Sequence, residues 1–154
     1  FDVDLPGRSE RYRESATTLP GAEPVVVDTP IGMLGLSVCY DLRFPEHYRQ
    51  LAALGATVLA VPAAFTAPTG RAHWEVLLRA RAIENQCHVL AAAQSGLHDN
   101  GRETYGDSMI VEPWGSVQRR LPRGSGFVAV QIDSAVTQAL RKTFPVLAHR
   151  RPPA

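Results

Sequence analysis

The chain has 154 residues, 45% hydrophobic and 20% charged, and its 16 basic and 15 acidic side chains leave a net charge of +1. One domain of this size buries roughly 68–70% of its unfolded surface without help from disulfides or metal, and basic runs no longer than the pairs Arg119-Arg120 and Arg150-Arg151 offer little footprint for nucleic acid. No apolar run approaches the ~20 residues that cross a bilayer, and the acidic, turn-rich opening FDVDLPGRSE is unlike a signal peptide, so a cytoplasmic protein with no membrane partner is expected.

Residues 1–24, with Pro6, Gly7, Pro20, Gly21 and Pro24, read as loop with at most a turn of helix. VVVDTP and IGMLGLSVCY are apolar runs around a Thr29-Pro30 turn, which predicts a hairpin whose second strand runs to about Val38. Pro45 suits the first turn of a helix, and EHYRQLAALG then ends at Gly55, a C-terminal cap. ATVLAVPAAF follows as a buried strand, and strand, helix, strand in this order predict a right-handed parallel unit.

From Arg71 to Gln86 the stripe Ala72, Val76, Ala80 and Ile83 predicts a second helix, with Arg71, Glu75 and Arg79 on a row of alternating charge. CHVLAAAQ is the next strand and SGLHDNGRET a polar loop. SMIVEP, SVQRRL and GFVAVQI, separated by PWG and RGSG, read as an antiparallel meander, SAVTQALRKT as a short helix, and FPVLAHRRPPA as an arm. The expected fold is therefore α/β, a parallel βαβαβ unit followed by an antiparallel meander.

Cys39 and Cys87 stand in no zinc-binding spacing, and no two of the five histidines are four apart, so neither a metal nor another cofactor is expected. In GLSVCYDLRFPE, however, Cys39 occupies the turn between a buried strand and a helix start. Such an elbow exposes a thiol at the sheet's carboxyl edge, beside N–H groups that favour thiolate and can hold an oxyanion. Two readings stay open on these grounds: an inert core cysteine and a nucleophile. The usual histidine base has no obvious candidate, because His47 lies within the following helix and His73 and His88 depend on the fold.

GLSVCYDLRFPE, PAAFTAPTGRAHWEVLLRARAIENQCHVLAAAQSG, YGDSMIVEPWGSV and PVLAHRRP together resemble the nitrilase superfamily of carbon-nitrogen hydrolases, most of all its deaminated glutathione amidase and omega-amidase branch. The resemblance runs over essentially the whole chain and makes Cys39 the expected nucleophile. It implies a four-layer αββα sandwich of nearly twice this length, so that residues 1–154 would form a single partial domain, the C-terminal half, with the N-terminal half as a missing partner. It implies a glutamate base and an oxyanion lysine, both ahead of this segment, with the Tyr40 N–H completing the oxyanion site and Glu14 matching a second, supporting glutamate. Lys142, the single lysine, follows every catalytic motif and is no substitute.

The resemblance further implies that Arg43 anchors a substrate carboxylate, with an ion pair to Asp41 or Glu46 as its alternative, and that Phe65 and Thr69 are substrate-binding, with a well-packed loop beside the strand end as theirs. His73 and Trp74, at the start of the long helix, either line the pocket or pack beneath it, with packing the favoured expectation. The helices near 45–54 and 71–86 resemble the family's dimer interface, so a homodimer or larger assembly is expected. Asp107 stands where relatives commonly carry histidine, leaving its role open. The implied activity is hydrolysis of a small carboxylate-bearing amide, deaminated glutathione or an omega-amide, in which Cys39 attacks, ammonia leaves and water releases the acid from a thioester. The alternatives are a carbamoylase or aliphatic amidase or nitrilase of the same fold, and a non-catalytic subunit or partner-binding module. The isolated segment, without base and lysine, is expected to be inactive and poorly stable.

Overall fold

The computed structural model describes residues 1–4, 11–99 and 101–151. Pro6 and Gly7 of the predicted opening loop, Asn100, and the last three residues of the predicted arm lie outside the described residues.

The opening stretch is not all loop. β1 (Asp2–Asp4) and β2 (Arg11–Arg13) pair antiparallel, setting Asp2 across from Arg13 and Asp4 across from Arg11. Directly opposed unlike charges favour that register, and Asp4 forms ion pairs with Arg13 at 3.0 Å and Arg11 at 3.7 Å. β3 (Val26–Thr29) and β4 (Gly32–Leu36) form the expected hairpin, with Gly32 at φ 113° in its turn. α1 (Pro45–Ala53) begins on its proline, and β5 (Val58–Ala60) follows. α2 (Ala67–Asn85) starts four residues before Arg71, with Pro68 in its first turn, and ends at Gln86, whose φ of 48° is left-handed. β6 (His88–Ala91) completes the parallel unit: Leu34, Val58 and His88 stand side by side across β4, β5 and β6.

The segment predicted as a polar loop holds a second small hairpin, β7 (Ser95–Leu97) with β8 (Glu103–Tyr105). β9 (Ser108–Val111) and β10 (Val117–Leu121) extend the main sheet antiparallel, giving the six-stranded order β10-β9-β6-β5-β4-β3. α3 (Ser134–Thr143) matches the predicted helix, capped by Asp133, whose carboxylate accepts the Ala135 N–H at 2.9 Å.

The third meander strand does not form. After β10 the chain is drawn toward the preceding turn: the Asp107 N–H donates to Pro122 O, and the Gly124 N–H donates to Ser95 Oγ at 3.1 Å. Residues 126–132 therefore leave the edge of β10, and Phe127 is 90% exposed.

α1 and α2 cover one face of the sheet, where Tyr48, Leu51, Trp74, Leu78 and Ala82 pack on Leu59, Val89, Met109 and Val111. The apolar stripe that marks this helix in the sequence, Ala72, Val76, Ala80 and Ile83, is not its buried face; Val76 is 67% exposed. The buried face of α2 runs through Trp74, Leu78, Arg81, Ala82 and Asn85. Its two polar residues hide it from a hydrophobicity count. Gly70 lets α2 approach β8: a Cβ there would stand 2.2 Å from the Cβ of Tyr105. On the opposite face Leu36, Ala60, Leu90 and Ile110 align across four strands, and Leu36 remains 40% exposed. The architecture is a mixed α/β sheet with helices, as expected for one half of an αββα sandwich.

Candidate active site

The carboxyl ends of β4, β5 and β6, consecutive parallel strands, converge on a cavity of about 910 Å³. Crevices at that edge of a sheet are where α/β folds bind ligands. β4 delivers Val38 and Cys39, the segment after β5 delivers Pro62 to Thr66, and the segment after β6 delivers Ala92 to Gln94. All six residues expected at the site, Cys39, Glu14, Tyr40, Arg43, Phe65 and Thr69, line this one cavity.

Cys39 opens a 3-10 turn, Cys39–Arg43, three residues beyond the end of β4. Its φ is 48°, a left-handed conformation that costs a non-glycine residue on the order of 1–3 kcal/mol. The elbow is held in place by local bonds: Cys39 N–H donates to Pro62 O at 2.8 Å, Asp41 N–H to Val38 O at 3.0 Å, and Val38 N–H to the Asp41 carboxylate at 2.8 Å. That last contact uses Asp41 as a cap of the turn rather than as a partner for Arg43. The Tyr40 N–H has no main-chain acceptor among the described residues, and it sits beside the half-buried Cys39 at the cavity wall.

Arg43 reaches into the cavity between two rings. Its guanidinium carbon lies 5.3 Å from the Tyr40 ring centroid and 5.0 Å from that of Phe65. Its Nη1 is 3.2 Å from His73 Nδ1, and it pairs with neither Asp41 nor Glu46. A planar cation set beside aromatic rings, with no acidic partner among the described residues, is equipped to fork onto a carboxylate. Phe65, 6% exposed, is braced by Trp74 at 4.9 Å between ring centroids. Thr69 lies in the first turn of α2, not in a loop, and its hydroxyl shares a 2.8 Å hydrogen bond with that of Thr66. Glu14 begins a 3-10 turn after β2, and its Oε2 accepts from the Phe1 ammonium at 2.6 Å.

His73 and Trp74 part company. Trp74 is buried and donates its indole N–H to Asp107 O at 2.8 Å, whereas His73 lines the cavity beside Arg43. Both stand in the second turn of α2 rather than at its start. Asp107 turns away into structure: its carboxylate meets Arg120 Nε at 2.8 Å, and burial raises its pKa against the lowering effect of that arginine. Two further lining residues, Gln94 and Arg102, escaped the sequence reading. Gln94 could have been found as the polar residue just past the carboxyl end of a parallel strand, the same signal that marks Cys39.

The other thiol is placed for inertness. Cys87 is fully buried, donates to Ala56 O and Asn85 O at 3.2 Å each, and burial pushes its pKa up to about 11 despite the nearby Arg141. Thiolate is the reactive form. Iodoacetamide near neutral pH is therefore expected to label Cys39 in the folded protein and to reach Cys87 only in denaturant. Peptide mapping by mass spectrometry checks this, and native labelling of Cys87 with Cys39 untouched would refute the assignment. Among the described residues no cluster of three or more His, Cys, Asp or Glu could hold a metal ion, and no helix is long and apolar enough to cross a membrane.

A family model described as carbon-nitrogen hydrolase matches residues 3–142. Deaminated glutathione amidase of Yersinia enterocolitica is 51% identical over 151 residues, an alignment covering 98% of this chain and 53% of that protein. The crystal structure of the Caenorhabditis elegans NitFhit protein is similar with a TM-score of 0.86 at 50% identity, over 98% of this chain and 37% of that one. A mutant amidase from Nesterenkonia sp. AN1, with a TM-score of 0.64 at 35% identity over 71% of this chain and 41% of that one, carries the acetamide moiety of fluoroacetamide covalently on its active site cysteine. The chain spans about half the length of the curated relatives it matches, from 46% to 53% for the first five.

Proposed function

Because this chain belongs to the carbon-nitrogen hydrolase family, within the nitrilase superfamily, we propose that it supplies the nucleophile-bearing half of a cysteine amidase acting on a small carboxylate-bearing amide. The observation that carries the reading is the pairing, at one cavity, of the Cys39 elbow with an arginine that has no acidic partner among the described residues. Deaminated glutathione and short omega-amides such as alpha-ketoglutaramate are the substrate class, the former being what the similar proteins are named for.

In this mechanism Arg43 forks onto the substrate carboxylate while the Phe65 and Tyr40 rings hold its plane, with Thr69 on the adjoining wall. Cys39 Sγ then bonds to the amide carbon, and the carbonyl oxygen becomes an oxyanion that the Tyr40 N–H stabilises. The C–N bond breaks, the thiol proton passes by way of a general base to the departing ammonia or amine, and a thioester remains. Water adds to that thioester, its proton returns to sulfur, and the acid leaves. The resemblance assigns the general base and the oxyanion lysine to polypeptide outside these 154 residues, and Glu14 to a supporting role. Members of a catalytic unit fail together when some are removed, so the segment alone has negligible turnover.

The same reading assigns two partners. The sheet face carrying Leu36, Ala60, Leu90 and Ile110, of which Leu36 is exposed and Ala60 and Leu90 are half-buried, takes the remaining half of the sandwich, and the outward apolar residues of α2, Val76 and Ile83, join α1 in a homodimer. Exposed apolar surfaces of this kind mark contacts.

The test is to trap the acyl-enzyme of the full-length protein with deaminated glutathione and alpha-ketoglutaramate, then map the mass increment. An adduct on Cys39 is expected. An adduct on Cys87 with none on Cys39, or turnover without any thioester, would overturn the proposal.

A further inference from the structure

Arg81 is an arginine in the core. Its side chain is 5% exposed on the inner face of α2, and burying a guanidinium is costly unless its donors are met. Nε and Nη2 both donate to a single acceptor, Leu42 O, at 3.1 and 2.7 Å. Nη1 meets Glu84 Oε1 at 2.9 Å, and the guanidinium carbon lies 5.3 Å from the Tyr48 ring centroid.

Leu42 sits within the Cys39–Arg43 turn, between the nucleophile and the carboxylate-binding arginine. Its carbonyl needs an outside donor for a sequence reason. A 3-10 turn would satisfy it from the residue three further on, and that residue is Pro45, which has no N–H. Arg81 supplies the missing donors from α2, 39 residues away in sequence.

Tyr48 continues the contact to the other side of Cys39. Its phenol is 2.7 Å from Ser37 Oγ, which is 2.8 Å from Ala60 O. Because the Ser37 hydroxyl donates to the carbonyl, Tyr48 donates to Ser37; burial raises the phenol's pKa and keeps that proton in place. Two anchors thus bracket the left-handed Cys39, at Ser37 before it and at Leu42 after it. Both run to groups that the chemistry does not touch.

We infer that Arg81 and Tyr48 are positioning residues: a buried clamp that grips the elbow from beneath and sets the angle of Cys39 relative to Arg43. The inference deepens the amidase reading and rests on it. A misplacement of about 1 Å at a reacting atom can cost on the order of 10²-fold in rate, and such a loss falls on kcat rather than on KM. Removing the clamp leaves Arg43 and the ring faces able to bind substrate.

The experiment uses the full-length protein, with alpha-ketoglutaramate as probe and active sites counted by alkylation of Cys39. Tyr48→Phe deletes one oxygen and keeps the packing, while Arg81→Lys keeps the charge but cannot fork onto Leu42 O. Each is expected to lower kcat at least tenfold with KM within threefold of the parent. Should Arg81→Lys fail to fold, Tyr48→Phe decides the matter alone. A kcat within threefold of the parent in folded Tyr48→Phe, or a rise in KM without a fall in kcat, overturns the clamp and leaves the amidase reading intact. No Cys39 adduct and no turnover in the parent protein, with either amide, overturns both.

Discussion

Replacing Cys39 by serine in the full-length protein is expected to lower amide turnover by at least about 10³-fold and to abolish the mass increment. Serine fits the same space and the site is half-buried, so the fold is retained and the loss is chemical. A thiol is intrinsically far more acidic than a hydroxyl and its thiolate is the better nucleophile, so the base that serves sulfur does not activate a serine at the same place. Ammonia or amine release at saturating substrate reads the effect. Turnover retained within tenfold in Cys39→Ser would remove the sulfur from the mechanism.

The second large effect concerns Arg43. Arg43→Gln is expected to reduce kcat/KM for amides carrying a carboxylate by about 10²- to 10³-fold, equivalent to about 3 to 4 kcal/mol of transition-state binding. For a simple aliphatic amide of similar size the change is expected to stay below threefold. This contrast separates a substrate contact from a structural one, since a damaged elbow would slow both substrates alike. The geometry favours the contact: the guanidinium is sandwiched by Tyr40 and Phe65, touches His73, and makes no ion pair with Asp41, which is engaged by the Val38 N–H. Equal losses on both substrates would return Arg43 to a purely structural role.

Much of the scaffold could be read along the chain. The hairpin before Cys39, the proline that opens α1, the glycine after it, and the crossovers to β5 and β6 follow from local turn chemistry and short apolar runs. The errors fall where local preference competes with distant partners. The apolar period marks α2 only from Arg71, four residues inside its actual start, where Pro68 is the better marker of a first turn. GFVAVQI alternates like a strand, yet a strand needs a neighbour, and the bonds to Pro122 and Ser95 carry the chain away from β10. Residues 95–105 are polar enough for a loop, but the pairing of Ser95 with Tyr105 makes a hairpin of them.

By itself the sequence determined the elbow: an apolar strand, a cysteine, an arginine four residues on, and a proline that closes the turn and denies Leu42 its local donor. These are properties of adjacent residues and need no tertiary knowledge. Which of the fifteen arginines would serve this turn was decided only by the fold. Arg81 and Arg79 are chemically identical and two residues apart on one helix, yet Arg81 is buried against the Leu42 carbonyl while Arg79 pairs with Glu75 at the surface. The difference is the rotation of α2 about its axis, set by Trp74 and Leu78 packing into the sheet. That rotation is a sum over contacts between residues far apart in the chain, so no local pattern encodes it.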